Sequence, residues 1–332
     1  PEASWEGADL EMDVQRLADE IISGRRLGRE ADAGFFERAD LETLCREADR
    51  IREAFCGNRV ELCSIINGRS GRCGEDCKFC AQSAFHSSDI ETYDFMDKEK
   101  IMDDCRKHDE KGVHRYSIVT AGRELSGKDL EKACEVYREM KAAFSIKLCA
   151  SHGLLTKAAF TALKESGVER YHANIETSER NFPNVCTTHS FQDKLSAIEG
   201  ARAAGLSICS GGIIGMGESF QDRLDMAVTL SELRVESIPL NVLMPIHGTA
   251  YENLPGLSED EIRRTVAMFR FLNPEAFIRL AAGRILMENS GWKAFRSGAN
   301  AAITGDMLTT SGNSIAEDRE MLLKMGFILD DV

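Results

Sequence analysis

Between Phe191 and Arg234 the chain reads "FQDKLSAIEGARAAGLSICSGGIIGMGESFQDRLDMAVTLSELR". Two segments with apolar residues at helical spacing flank "LSICSGGI" (206–213), an apolar run too short for a helix and ending in glycines. Helix, strand, turn and helix are the parts of a βαβ unit, whose crossover is right-handed and whose strands are parallel. The same alternation extends in both directions. Strands are expected at "RVELCSII" (59–66), "RYSIVT" (115–120), "IKLCA" (146–150), "RYHANI" (170–175), "SIPLNVLM" (237–244), "AFIRLAA" (276–282) and "AAIT" (301–304). Further helices are expected at "GKDLEKACEVYREMKAA", "KAAFTALKESG" and "SEDEIRRTVAMFRFL". Several begin near Ser, Thr or Asp or end at Gly, as capping requires. Eight strands with intervening helices match a closed (β/α)8 TIM-type barrel, with a doubly wound open sheet as the alternative. The expected organisation is an N-terminal helical extension (1–56), the barrel (57–310) and a C-terminal extension packing on it (311–332).

The chain has 332 residues and a formal net charge of −14. That balance argues against a surface that tracks nucleic-acid phosphates and favours a small-molecule partner. No apolar run approaches the ~18 residues that cross a bilayer. The opening "PEASWEGADLEMDV" has neither a basic nor an apolar leader segment, so a cytoplasmic location is expected. Eleven cysteines without export signals read as metal ligands or buried thiols rather than disulfides.

Three of them form "RCGEDCKFC" (72–80), with Cys73, Cys77 and Cys80 in a polar loop after the first strand. In a barrel that loop lies at the catalytic mouth. Structural zinc usually takes four closed ligands, and the local count stops at three. A four-iron cluster on three thiolates keeps one iron free for chemistry, so iron–sulfur is favoured; a distant fourth Cys or His would restore zinc. Buried structural cysteines prefer apolar surroundings, which makes incidental thiols a poor account of this loop.

The loop resembles that of the radical S-adenosylmethionine superfamily. Together with "NIETS" (174–178), "TTHSFQDKLSAIEGARAAGLSICSGGIIGMGES", "IPLNVLMPIHGT" and "IRLAAGR", the chain from the first strand to about Thr310 resembles the biotin synthase family. The cysteine triplet alone is specific only to the superfamily; the combined motifs are specific to the family. The resemblance implies a [4Fe-4S] cluster on Cys73, Cys77 and Cys80 that binds and cleaves S-adenosylmethionine. The resulting 5′-deoxyadenosyl radical abstracts hydrogen from dethiobiotin, and sulfur from an auxiliary cluster is inserted to form biotin. Phe79 would lie near adenine, with Ile213 and Met244 lining the same pocket. Glu176 would meet the ribose hydroxyls, although the familiar residue there is Asp. Asn174 would serve the cofactor and, with Asn241, the ureido ring of dethiobiotin; His189 would approach the methionine carboxylate. His172 and Ala173 depart from the usual Asn-His pair, so no role transfers to them. A reducing electron donor and a homodimer are also implied.

Cys63, Cys149, Cys209 and Arg279 fall on expected strands one, three, five and seven. Barrel interiors are filled in layers drawn from alternate strands, so the four can meet. Taken singly, each cysteine is an ordinary small core residue. A buried guanidinium beside them demands an anionic partner, which favours a site. By the resemblance, common biotin synthases hold an auxiliary cluster on three cysteines and an arginine. Cys149, Cys209 and Arg279 match that set, whereas Ser117 replaces its third cysteine and Cys63 takes its place from another strand. The auxiliary cluster expected here is of the four-iron type rather than [2Fe-2S]. Cys45, Cys56, Cys105 and Cys134 read as packing or surface residues, and Cys186 is unassigned. Two other functions remain open on sequence: another radical enzyme on this barrel, of hydrogenase-maturation or mutase type, and a non-enzymatic iron–sulfur or zinc protein.

Overall fold

A computed structural model of the chain describes residues 3–305, 307 and 312–329. The strands are β1 (Glu61–Arg69), β2 (Arg115–Thr120), β3 (Lys147–Ser151), β4 (Arg170–His172), β5 in two segments (Ser207–Cys209 and Gly212–Ile214), β6 (Ser237–Val242), β7 (Phe277–Leu280) and β8 (Ala301–Ile303). All neighbouring strands pair in parallel. β8 returns to β1 through Glu61↔Ala301, and β5 meets β6 through Cys209↔Ser237 and Gly212↔Leu240, so the ring closes as a (β/α)8 barrel. The open doubly wound sheet is excluded by that closure.

Period-two alternation sorts the strand residues. Tyr116 and Ile118 of β2 and Leu148 and Ala150 of β3 are fully buried. Arg115, Ser117 and Val119, with Cys149 and Ser151, line the central cavity instead. Successive side chains on a strand point to opposite faces, so one set faces the cavity and the other packs outside the ring.

Three helices precede the barrel: α1 (Ala3–Ile22), α2 (Ala33–Arg38) and α3 (Leu41–Cys56). Those that follow are α4 (Lys98–Glu110), α5 (Gly127–Ala143), α6 (Lys157–Glu165), the short α7 (Phe182–Val185), α8 (Phe191–Ala203), α9 (Phe220–Glu232), α10 (Glu259–Leu272), α11 (Trp292–Phe295) and α12 (Ile315–Lys324). Ser190, Ser219 and Ser258 start α8, α9 and α10 with reciprocal capping boxes through Asp193, Asp222 and Glu261. Each satisfies amide donors that a helix start otherwise exposes, and a cap of this type stabilises by about 0.5–2 kcal/mol. α3 packs on α10, tied by Arg263 donating to both Glu42 oxygens at 2.8 and 2.9 Å. The C-terminal tail crosses the opposite end from the cysteine loop. Val60 N donates to Ile328 O (3.1 Å) and Ile328 N to Asn58 O (2.7 Å), ahead of β1, while His114 Nε2 meets Leu329 O (2.6 Å) ahead of β2. The expected boundary at Thr310 and Ser311 lies outside the described residues.

Two strands differ from expectation. β4 ends at His172 rather than at residue 175, because the next four steps, to Glu176, face only three on β5 (Cys209 to Gly212), so the ladder is interrupted until the isolated bridge Glu176↔Gly212. The 206–213 run breaks at Ser210 and Gly211, where its register against the β4 segment shifts by one residue, from His172↔Cys209 to Glu176↔Gly212, while its register against β6 is unchanged. The charged segment 98–110 forms α4, which buries Ile101 and Cys105 one helical turn apart.

Candidate active site

The cysteine loop leaves β1 and is braced by its own backbone before any side chain is considered. Cys73 N donates to Gln82 O (3.0 Å), Ala84 N to Cys73 O (2.8 Å), and Cys80 N to Cys77 O (3.0 Å). Gly71 N donates to Gln82 Oε1 (3.0 Å) and Ser83 Oγ to Glu75 O (2.6 Å). Cys73, Cys77 and Cys80 all line a cavity of about 410 Å³ that opens at the C-terminal ends of the strands and descends into the barrel. Burial pushes the Cys80 thiol up to about 11. The neighbouring Cys186 thiol, with burial, raises that of Cys77.

At the mouth, Phe79, Tyr251 and Leu254 pack on a small apolar cluster of Val185, Ile213, Met216 and Leu243. Phe79, Ile213 and Met244 line the cavity. Glu176 and Asn174 also face it. Glu176 Oε2 is buried without a hydrogen-bond partner, and Lys194 Nζ stands 3.9 Å from its other oxygen. At φ +68° a residue with a side chain carries strain of order 1–3 kcal/mol. Asn174 Oδ1 accepts from Gly211 N (3.0 Å), and Asn241 bridges Gly212 O (3.1 Å) and Ala282 N (3.2 Å). Both amides therefore set the backbone of the broken strand as well as lining the cavity.

Deeper in, Cys63, Cys149, Cys209 and Arg279 line the same cavity. Cys63 and Cys149 are a coupled buried pair: the neighbouring Cys63 thiol, with Arg115 and Arg170, draws Cys149 down, while Cys149 and burial push Cys63 up. Burial raises Cys209, whose Sγ lies 3.4 Å from His172 Nδ1 and 3.5 Å from Ser237 Oγ. Ser117 Oγ is buried without a partner.

The anionic partner of Arg279 is Glu61, absent from the sequence reading. Arg279 Nη2 bonds Glu61 Oε1, Arg170 Nη1 reaches the same oxygen at 2.8 Å, and Arg115 Nε reaches Oε2 at 2.7 Å. Burial alone would raise this carboxyl; Arg279, Arg170 and Arg115 overcome it and hold it far below the usual range. One carboxylate among three guanidiniums carries net charge +2 beside three sulfurs. Arg115 Nη1 has no hydrogen-bond acceptor. The donor chemistry thus fits an anionic iron–sulfur group: three thiols, surplus positive charge and polar atoms without partners. The mouth fits S-adenosylmethionine on the same grounds, with an apolar wall for a base and an unpartnered carboxylate for hydroxyls.

Residues 69–230 match the sequence model of the Radical SAM superfamily, and residues 239–328 that of the Biotin and Thiamin Synthesis associated domain. A biotin synthase of Alkaliphilus metalliredigens is 65% identical over 96% of this chain and 100% of its own length. The chain belongs to the biotin synthase family. Another biotin synthase, of Clostridium beijerinckii, is 57% identical over 95% of this chain and 99% of its own. Among solved structures, methylornithine synthase superposes with a TM-score of 0.82 at 20% identity, covering 94% of this chain and 96% of that one. The [FeFe]-hydrogenase maturase HydG from Carboxydothermus hydrogenoformans gives 0.79 at 18% identity, covering 97% and 80%. At those identities the likeness is one of fold.

Every expected site residue of this biotin synthase family member lines the cavity except His189, whose ring is bonded through Nδ1 to Glu75 and stands 3.3 Å from Cys186. Glu61, Arg115 and Arg170 were missed. Their signal was available: Glu61 lies two residues before Cys63, and Arg115 two before Ser117, so each shares a strand face with a cavity residue. Among the described residues, no helix is long and apolar enough to cross a membrane.

Proposed function

We propose that this chain converts dethiobiotin to biotin by radical sulfur insertion, with Cys73, Cys77 and Cys80 holding the [4Fe-4S] cluster and Cys63, Cys149 and Cys209 holding an auxiliary cluster of four-iron type beside Arg279. When bound, the first supplies the electron that cleaves S-adenosylmethionine and the second supplies sulfur. The observation that carries the reading is that two trios of thiols line one cavity, one at its mouth and one at its floor.

The chain's own residues supply placement and charge. Phe79, Ile213 and Met244 form the adenine wall. Glu176 accepts from ribose hydroxyls, and its lengthened side chain is offset by the turn at φ +68°. Asn174 and Asn241 hold the strand break at the depth where the substrate ring sits, between the trios. Glu61 fixes Arg115, Arg170 and Arg279, so the floor is cationic before any sulfur ligand arrives; such preorganised charge costs no rearrangement at the moment of reaction. His189 serves the methionine carboxylate through Glu75 and the loop they share, rather than from the cavity wall. A reducing electron donor and a homodimeric assembly complete the proposal.

The test is anaerobic incubation of the reconstituted protein with dethiobiotin, reductant and S-adenosylmethionine, read by mass spectrometry for biotin. Iron and sulfide counts with Mössbauer spectra on the parent and Cys63→Ala address the floor. Biotin formation, and a four-iron floor signal lost in Cys63→Ala, are expected. A two-iron signal indifferent to Cys63→Ala would refute the ligand set.

A further inference from the structure

Cys186 takes no part in the reaction above, yet it is buried in a chemically crowded place. Among the described residues, Cys77, Cys186 and His189 are the one set of three Cys, His, Asp or Glu side chains whose ligand atoms all lie within 4.8 Å of one another. Neither trio of cysteines meets that spacing. Cys186 Sγ is 3.3 Å from His189 Nδ1, and the Cys77 sulfur lies within 4.8 Å of both. Two loops bring them together and are joined by several independent bonds. Lys78 N donates to Val185 O (3.0 Å), Thr187 N to Asp76 Oδ1 (2.8 Å), and Asp76 N to Thr188 Oγ1 (3.1 Å). The two loops that carry the set are therefore tied together at several points. Glu75 lies against His189 Nδ1, and Asp76 Oδ1 is 3.2 Å from Cys186 Sγ. His189 Nε2 is buried with no partner.

We propose that Cys77, Cys186 and His189 form a mononuclear site for a thiophilic divalent cation, zinc by its ligand set, occupied when Cys77 is not engaged in the cysteine loop's trio. Two sulfurs and one imidazole are soft and borderline donors of the kind zinc takes in a tetrahedron, at about 2.3 and 2.0–2.1 Å. Those bond lengths place the ligand atoms about 3.5–3.8 Å apart, so the observed spacing closes by side-chain rotation. Glu75 is the nearest group for the fourth position. Because Cys77 belongs to both sets, zinc and the loop cluster exclude each other, and the site holds the loop in a closed but chemically idle form.

Cobalt(II) is the probe, titrated into the full-length, metal-stripped chain under argon and read by thiolate-to-cobalt charge-transfer absorption. One equivalent of tetrahedral cobalt is expected in the parent, in Cys73→Ala and in Cys80→Ala, with affinity at least tenfold lower in Cys77→Ala, Cys186→Ala and His189→Ala. Circular dichroism of each variant separates site loss from misfolding, and Cys186→Ser supplies a second variant of nearly unchanged size. One equivalent of zinc is expected to displace the cobalt and to slow cluster reconstitution in the parent but not in Cys186→Ala. Cobalt that follows Cys73 and Cys80 while ignoring Cys186 and His189, or that follows only Cys63, Cys149 and Cys209, overturns the proposal. So does equal slowing by zinc in parent and Cys186→Ala. The titration uses no cluster and no substrate, so its failure leaves the sulfur-insertion reading untouched.

Discussion

Glu61 is only 1% exposed and bonds to three arginines, Arg115, Arg170 and Arg279. Removing one member of a buried ionic group strands the others, at a cost of about 3–5 kcal/mol. Glu61→Gln is therefore expected to lower unfolding free energy by about that amount, read in urea at neutral pH, and to disturb floor-cluster loading. A change below ~1 kcal/mol would mean the guanidiniums are solvated or otherwise paired. At this scale the sequence was informative where spacing is local, as in Cys73, Cys77 and Cys80. It was silent on Glu61 because a single acid at a strand start reads as solvated until the strands opposite are known. His189 was legible as a loop residue but not in its partners, since Glu75 and Cys186 reach it from separate segments.

Strand β5 shows why element boundaries were harder to read than element existence. Its break is imposed by tertiary contact: Glu176 pairs with Gly212 across the gap, and Ile213 N donates to Glu176 O at 2.9 Å. A Cβ at Gly212 would stand 2.3 Å from Glu176 O and 2.4 Å from Met226 Sδ. Gly212→Ala is expected to shift the Glu176 turn and weaken S-adenosylmethionine binding by tenfold or more, as overpacking of about 1–3 kcal/mol implies. Isothermal calorimetry on reconstituted enzyme checks this, and unchanged affinity would show that the turn tolerates displacement. Strand β3 contributes a pH effect through the segment after it. His152 is fully buried between Thr120 Oγ1 and Tyr137 OH, each at 2.9 Å, and burial lowers its pKa to about 3. Between pH 6.5 and 3 the unfolded chain binds a proton at this residue that the folded chain does not, so stability falls as pH falls. The slope is about 1.4 kcal/mol per pH unit. Urea midpoints from pH 7 to 5 are expected to fall less steeply, by about one proton, in His152→Gln; parallel slopes would contradict this.

The described residues form a barrel crossed at one end by the C-terminal tail and open at the other to a mouth lined by Cys73, Cys77 and Cys80, with a cationic floor between. The closed ring was readable because eight apolar runs alternate with amphipathic ones, and the layering of barrel interiors by alternate strands then allowed Cys63, Cys149, Cys209 and Arg279 to meet inside. What alternation cannot supply is which inward groups touch, and the Glu61 quartet and the Cys77, Cys186 and His189 set both arise from such contacts. The sulfur of the product is proposed to come from the group held by Cys63, Cys149 and Cys209. Reconstitution with 34S-sulfide, followed by a single anaerobic turnover and mass spectrometry of biotin and 5′-deoxyadenosine, tests it most directly. The parent is predicted to give 34S-biotin at no more than one equivalent per chain, and Cys63→Ala to form 5′-deoxyadenosine without labelled biotin. Labelled biotin at the parent level from Cys63→Ala would contradict the account.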